Sequence, residues 1–597
     1  MMVRPNQTKT FTLEKLLHNK SSTLQNKTLT LEYTENPVWY AVQALPYLME
    51  FPYECSEQTF NRYFANSLAS SLVKRLPVVQ QVFERWKQTD SKELLSNLEK
   101  NQELKSVLIE ETPWLRDTQN ESEQKKRIAL LFDLNKMSYE LQLNLNKLKE
   151  MQLADGSFPW FTGLRSDRYI TQYILAGIGQ LDAAKVSDNQ NSALKNISDK
   201  ALNYLDQELI KPEHTVFTGK KLVPDNLSPI EIYGWYARSY FAEKPMNAAL
   251  TAVWKKYQQK AILEFPQQSV YEKGLIALTF QHFKLIKEAQ QIVKSLMETA
   301  QQSEEMGMYW PNNQPGCFWY QNPVETQSLL IELFSAAGKT KEVEEMKIWL
   351  LRNKQTNNWK TTKATAQACY ALLLRGENWL SSTGKTELFL GGENLQKLKP
   401  DLQQEAGTGY LKTSWQNEQI KPEFGKVEAK NQSKTISWGA LYWQYLEKLD
   451  KISSAENSIS LERKYFIRSK NNTGEILVAV DQNHQPKVGD LLKIVVYLKA
   501  DRDFEYVHLK DMRPAGTEPV EVLSGYKFQD GLLYYQVTKD VATNFFISYL
   551  PKGNYVFEYG LRVAQAGNFS TGISSVQSMY APEFGAHSAG NRITTTN

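Results

Sequence analysis

Cys55 and Gln58 stand three residues apart in the run Phe51-Pro52-Tyr53-Glu54-Cys55-Ser56-Glu57-Gln58-Thr59. A proline precedes them, and a helix-like stretch from Phe60 to Leu76 follows. Side chains at i and i+3 share one face of a helix, so the Cys55 sulfur can reach the carboxamide carbon of Gln58. Attack there with loss of ammonia closes an internal thioester, an energy-rich acyl group that persists until a nucleophile takes it. The plainer alternative is a buried structural cysteine near a helix N-terminus, a common fate of an unpaired thiol. Glu57 fits a first-turn carboxylate, favourable against the helix dipole, and the sequence assigns it no proton transfer.

A reactive acyl group needs elements that hold it and keep water out. From Trp39 to about Arg375 the periodicity is helical, with apolar faces in windows such as Ser67 to Leu76, Ile170 to Leu181 and Tyr271 to Phe280. A weak repeat runs through this region. Gln152-Leu153-Ala154-Asp155-Gly156-Ser157-Phe158-Pro159-Trp160 precedes a helix opening at Tyr169-Ile170-Thr171. Gly316-Cys317-Phe318-Trp319-Tyr320 precedes Glu325-Thr326-Gln327, and Asn357-Asn358-Trp359-Lys360 precedes Ala364-Thr365-Ala366. An aromatic turn, a threonine in the first turn and an apolar helix recur, which fits an α/α toroid whose helices bury their faces against neighbours. The threonines are expected at capping or packing positions, and the tryptophans at helix ends.

Outside the helical region the pattern changes. Residues 28–33, Thr-Leu-Thr-Leu-Glu-Tyr, alternate as a half-buried strand does, and Asn36-Pro37 then punctuates the chain. Strand-like runs return at 386–390, 407–415 and 434–443, and pairing with residues 1–36 would make one β-sandwich into which the helices are inserted. After a linker at 450–457, short strands spaced by turns indicate a further β-sandwich.

The 597 residues imply about three domains. With 70 basic against 66 acidic residues and no basic stripe, nucleic acid is not an expected partner. Three cysteines, Cys55, Cys317 and Cys369, form no CxxC and no metal-ligand spacing, so neither a disulfide framework nor a metal site is expected. No apolar run reaches membrane-spanning length, and residues 1–10 lack the apolar core of a secretory signal.

Pro-Tyr-Glu-Cys-Ser-Glu-Gln-Thr (52–59) resembles the Cys-x-Glu-Gln thioester motif of the alpha-2-macroglobulin family in its bacterial form. Asp511-Met512-Arg513-Pro514 and Met579-Tyr580-Ala581-Pro582-Glu583 resemble that family's C-terminal macroglobulin domain. The resemblance implies four segments: 1–36 and 383–452 as the two parts of a CUB-type β-sandwich, 37–382 as an α/α toroid thioester domain, and 453–597 as a macroglobulin-like β-sandwich. It further implies an endopeptidase inhibitor rather than an enzyme, with no cofactor. Proteases would be captured through lysine amines at the Cys55–Gln58 thioester, with Ser56 and Glu57 as motif neighbours and Tyr580 as a candidate shield. Some relatives steer the reaction to hydroxyls with a histidine after the Asp-Gly turn. None occurs between Asp155 and Thr171 here, which implies direct attack by amines.

The bait region and upstream macroglobulin domains of a protease trap do not occur in this sequence, so a C-terminal part of a larger extracytoplasmic protein is expected. Two alternatives stand beside this one. The first is a non-covalent structural or binding module with an inactive thioester. The second, more remote, is a terpene cyclase-like toroid, suggested by Gln152 to Phe158 but lacking an Asp-x-Asp-Asp motif and a zinc triad around Cys317.

Overall fold

The computed structural model describes residues 1–597 apart from 50–54, 89–133, 187–191, 212–226, 317, 354–358, 360, 382–383, 457, 472–473, 530 and 580–583. The alternating run 28–33 lies within the strand Gln25–Thr34, which buries Leu29, Leu31 and Tyr33 on one face. That strand pairs antiparallel with Leu411–Gln416 on one side and Ser437–Leu446 on the other, and Met2–Val3 extends the sheet. A second four-stranded sheet orders Thr8–Thr12, Lys426–Asn431, Thr386–Leu390 and Glu393–Asn394. Leu31 and Trp415 of the first sheet share an apolar cluster with Leu388 and Val427 of the second. Both sheets therefore draw strands from either side of the helical segment. Asn36 ties its two ends together: its N–H donates to Thr408 O (2.9 Å) and its Nδ2 to Trp379 O (2.8 Å).

Within the helical segment, six helices pack in succession. Ser56–Arg75 lies against Arg168–Ala183, followed by Pro229–Ser239, Val270–His282, Pro323–Ala336 and Thr362–Leu374, which returns to Ser56–Arg75. The sequence explains which helices lie inside. Pro323–Ala336 is buried at every residue from Val324 to Phe334. Ile286–Thr299, packed outside Val270–His282, buries only Ala289, Ile292, Val293 and Leu296, the single stripe of an amphipathic helix.

The repeat threonines hold the first turns. Thr171 Oγ1 donates to Asp167 O and accepts from Phe158 N, both at 2.8 Å. Thr365 Oγ1 likewise donates to Thr361 O (2.8 Å) and accepts from Trp359 N (3.0 Å). Thr326 Oγ1 donates to Asn322 O at 2.9 Å. The tryptophans pack at helix ends: Trp359 Nε1 donates to Leu350 O and Trp310 Nε1 to Leu296 O, both at 2.9 Å, near helix C-termini. The loop between Trp310 and Pro323 carries Trp319 to Tyr169 and Tyr233, with ring centroids 4.5 and 5.2 Å away.

From Ile459 onward the chain is antiparallel β structure. A five-stranded sheet contains Ile459–Asn471, Leu491–Ala500 and Gly553–Val563, and a six-stranded sheet contains Leu532–Thr538, Ala542–Leu550 and Phe504–Met512. Ile494 and Val496 of the first share a core with Phe545 and Ile547 of the second. Arg463 crosses between the sheets to Asp511 (2.8 Å), which also accepts from Tyr559 OH (2.7 Å) and Ser574 Oγ (2.5 Å). Both charged side chains are buried, so the pair meets the usual condition for a buried ion pair, full hydrogen bonding. Among the described residues no helix is long and apolar enough to cross a membrane.

Candidate functional site

Cys55 is the N-cap of Ser56–Arg75, with extended backbone at φ −89 and ψ 168. Its Sγ accepts from Gln58 N at 3.4 Å, and Gln58 Oε1 accepts from Cys55 N at 3.5 Å. This reciprocal cap satisfies two backbone donors that a helix start otherwise leaves open. It also folds the Gln58 carboxamide back over the turn that carries the sulfur. Cys55 is only 3% exposed and Gln58 is half-buried, so the sulfur is shielded from solvent. Burial pushes the Cys55 thiol above its ordinary pKa.

The turn after Asp155 fixes the helix start. Asp155 Oδ1 accepts from Ser157 N (3.0 Å) and Ser157 Oγ (2.6 Å), and Gly156 holds φ +90 with Lys200 O where a Cβ would lie. The chain then pairs Phe158–Pro159 with Ser166–Asp167. Ser56 docks on this hairpin through Oγ to Pro159 O (2.5 Å) and N to Trp160 O (2.9 Å). Trp160, Phe161 and Leu164 of the hairpin are exposed and give the site an apolar rim.

Glu57 occupies the first turn, but its carboxylate turns inward. Oε1 accepts from Asn61 Nδ2 (2.5 Å) and Thr362 Oγ1 (2.7 Å), and Oε2 lies 3.9 Å from Cys55 Sγ, placed to accept from the thiol. Tyr173 OH donates in turn to Asn61 Oδ1 at 2.6 Å. Burial raises the Glu57 pKa, opposed by the Thr362 hydrogen bond and the Lys363 charge.

Lys363 is buried beside this network. It is ion-paired with Glu325, donates to Tyr169 OH at 2.7 Å, and lies 5.1 to 5.9 Å from the ring centres of Tyr169, Tyr173, Tyr233 and Trp319. Burial works against the ammonium, but Glu325 and the surrounding tyrosines outweigh it and hold Lys363 protonated above its ordinary range. A cavity of about 20 Å³ bordered by Tyr173, Gln180, Glu325, Lys363 and Gln367 has room for one water.

The structure thus brings Cys55, Ser56, Glu57 and Gln58 onto one helix start. Tyr580 and Cys317 lie outside the described residues, as does the flank 51–54. The sequence did not single out Thr362, Lys363, Glu325 or Asn61. The available signal was a lysine and a glutamate in the first turns of two largely buried helices, Thr362–Leu374 and Pro323–Ala336. No group of three or more His, Cys, Asp or Glu able to hold a metal occurs among the described residues.

Comparison with known proteins adds the following. Residues 459–583 match the profile of the bacterial Alpha-2-macroglobulin MG10 domain. A curated Alpha-2-macroglobulin homolog from a Nostoc species is 23% identical over 467 residues, covering 74% of this chain and 23% of the relative. The chain thus spans about a quarter of that relative's length. Among solved structures, trypsin-activated alpha-2-macroglobulin from Escherichia coli is similar with 13% identity and a TM-score of 0.46, over 100% of this chain and 35% of that one. Salmonella alpha-2-macroglobulin reacted with methylamine gives 15% identity and a TM-score of 0.37, over 100% and 33% of the respective chains. Residues 459–583 thus match a bacterial alpha-2-macroglobulin domain, and most of the chain is similar to a bacterial alpha-2-macroglobulin homolog.

Proposed function

We propose that this chain is the covalent-capture part of an alpha-2-macroglobulin-type endopeptidase inhibitor. Cys55 Sγ and Gln58 Cδ form an internal thioester that a lysine amine of an attacking protease opens. The observation that carries this reading is the reciprocal cap, which puts the sulfur and the carboxamide on one turn at a largely buried helix start. In this reading the closed succession of six helices is the α/α toroid of a thioester domain, 37–382. The two sheets that draw strands from both sides of it form a CUB-type β-sandwich (1–36 and 383–452), and 453–597 is a macroglobulin-like sandwich. Tyr580 is the candidate shield that the family resemblance implies. Target proteases and upstream macroglobulin domains are the partners, and the working compartment is extracytoplasmic. The protein acts once per molecule and does not turn over.

A dry site is what such a bond needs, because water competes with the amine. The half-buried Gln58 then offers its carbonyl to a nucleophile arriving from the surface. A second reading also has support in the same cap: Cys55 could be purely structural, in a non-covalent binding module. Labelling with a fluorescent primary amine separates the two. Wild-type chain should take up one label on Gln58, as an amide that survives denaturation. Cys55→Ser retains an N-cap oxygen, so it should fold normally and take up no label. Labelling of Cys55→Ser at the wild-type level would leave only the structural role.

A further inference from the structure

The carboxylate of Glu57 does not belong to the bond-forming pair, yet it is tied to it by geometry. Oε2 lies 3.9 Å from Cys55 Sγ with the thiol as donor, while Oε1 is held by Thr362 Oγ1 from another helix and by Asn61 Nδ2 one turn on. A glutamate serving only the helix dipole would point to solvent. This one is turned inward and clamped on one oxygen, with the other facing the sulfur.

We propose that Glu57 is the proton carrier of this site, with Thr362 and Asn61 as positioning residues; the proposal rests on the thioester reading above. In closure, Cys55 Sγ adds to Gln58 Cδ as its proton passes to Glu57. The Cδ–Nε2 bond then breaks, its electron pair leaves with nitrogen, and the same proton moves on to complete ammonia. In opening, an amine lone pair forms the N–Cδ bond and the Cδ–Sγ pair returns to sulfur. Glu57 takes the proton from the amine nitrogen and delivers it to sulfur. Glu57 ends each sequence as it began, and no further reactant is needed.

The charge state of this carboxylate is set from every side of its pocket. The titratable groups that share its field are Cys55, Tyr47, Tyr169, Tyr173, Glu325 and Lys363. Burial favours the protonated acid, while the Thr362 hydroxyl and the Lys363 ammonium favour the carboxylate. Burial is the larger influence, so the net shift is upward, the direction in which a carboxyl group becomes a better proton acceptor.

The test uses the full chain as wild type, Glu57→Gln and Thr362→Val. It reads intact mass and the rate at which methylamine frees a thiol across a range of pH. Wild type should be lighter than its sequence by one ammonia. Glu57→Gln should either retain its full mass or open about 100-fold more slowly, at the low end of general acid–base contributions. The ratio of wild-type to Glu57→Gln rates should rise with pH as Glu57 ionises, since the ratio cancels the titration of methylamine itself. Thr362→Val removes a donor to the carboxylate, so its rising limb should move to higher pH, which a merely structural role would not produce. A Glu57→Gln chain that is lighter by one ammonia and opens at the wild-type rate at every pH would overturn the proposal and leave the thioester intact. Wild type at full mass would remove the thioester reading and this proposal together. Should Glu57→Gln fail to fold, Thr362→Val decides, and an unchanged pH profile there counts against the proposal.

Discussion

At the scale of single residues, Cys55 occupies a position where its side chain is a poor choice for stability alone. Serine, aspartate or asparagine cap a helix better than a thiol does, and burial holds this thiol up and so keeps it from ionising. A sulfur placed there contributes little as a cap and little as a free thiolate, but much as one end of a bond to Gln58. The motif was legible because Cys55 and Gln58 are local in sequence. The surrounding network was not, because Thr362 reaches Glu57 from 305 residues away. Sequence spacing carries no information about such a contact. A second residue-scale consequence concerns His508, which stacks on Phe546 and sits 3.0 Å from Asn544 Oδ1. Burial lowers its pKa from 6.5 to about 4. Between these values the unfolded chain binds more protons than the folded one, so the contribution is complete above the unfolded value and is lost as pH falls. The loss reaches roughly 3 kcal/mol by full protonation of both states. Thermal unfolding of wild type and His508→Gln should differ increasingly below about pH 6.5; parallel pH dependences would contradict the assignment.

At the scale of elements, the inner helices pack closely because small residues let them. An ideal Cβ on Gly177 would fall 2.3 Å from Phe60 Cε1, so the helix Arg168–Ala183 approaches Ser56–Arg75 at the expense of any side chain there. Gly177→Ala should cost about 1–3 kcal/mol through overpacking, read as a lower melting temperature, and Phe60→Leu should recover part of it. An unchanged melting temperature would mean that the two helices have room to move apart. The sequence marked these helices by period, and their threonine first turns by repetition. It placed Trp319 at a helix end but did not say at which helices, because local spacing does not record the loop path that carries it to the first turns holding Tyr169, Tyr271 and Lys363.

At the scale of the whole molecule, the helical segment leaves and re-enters one β unit, and Asn36 clamps its ends. The alternation of residues 28–33 revealed a strand but not its neighbours, which lie about 400 positions further on: Trp415 and Trp443 both pair with Leu29. Contacts between units are both apolar and ionic: Met2 and Ile436 of the β unit join the apolar core of the helical segment, and Trp438 stacks on Tyr40. Arg4 pairs with Glu345, Lys9 with Glu304 and Arg502 with Glu305, at or near the surface. Such pairs contribute about 0–1 kcal/mol each. The central claim is the bond itself, and intact mass with Cys55 alkylation before and after methylamine tests it most directly. The expected result is a chain lighter by one ammonia, with Cys55 protected until methylamine frees it. A chain of full mass whose Cys55 in the denatured protein alkylates without any methylamine would contradict it.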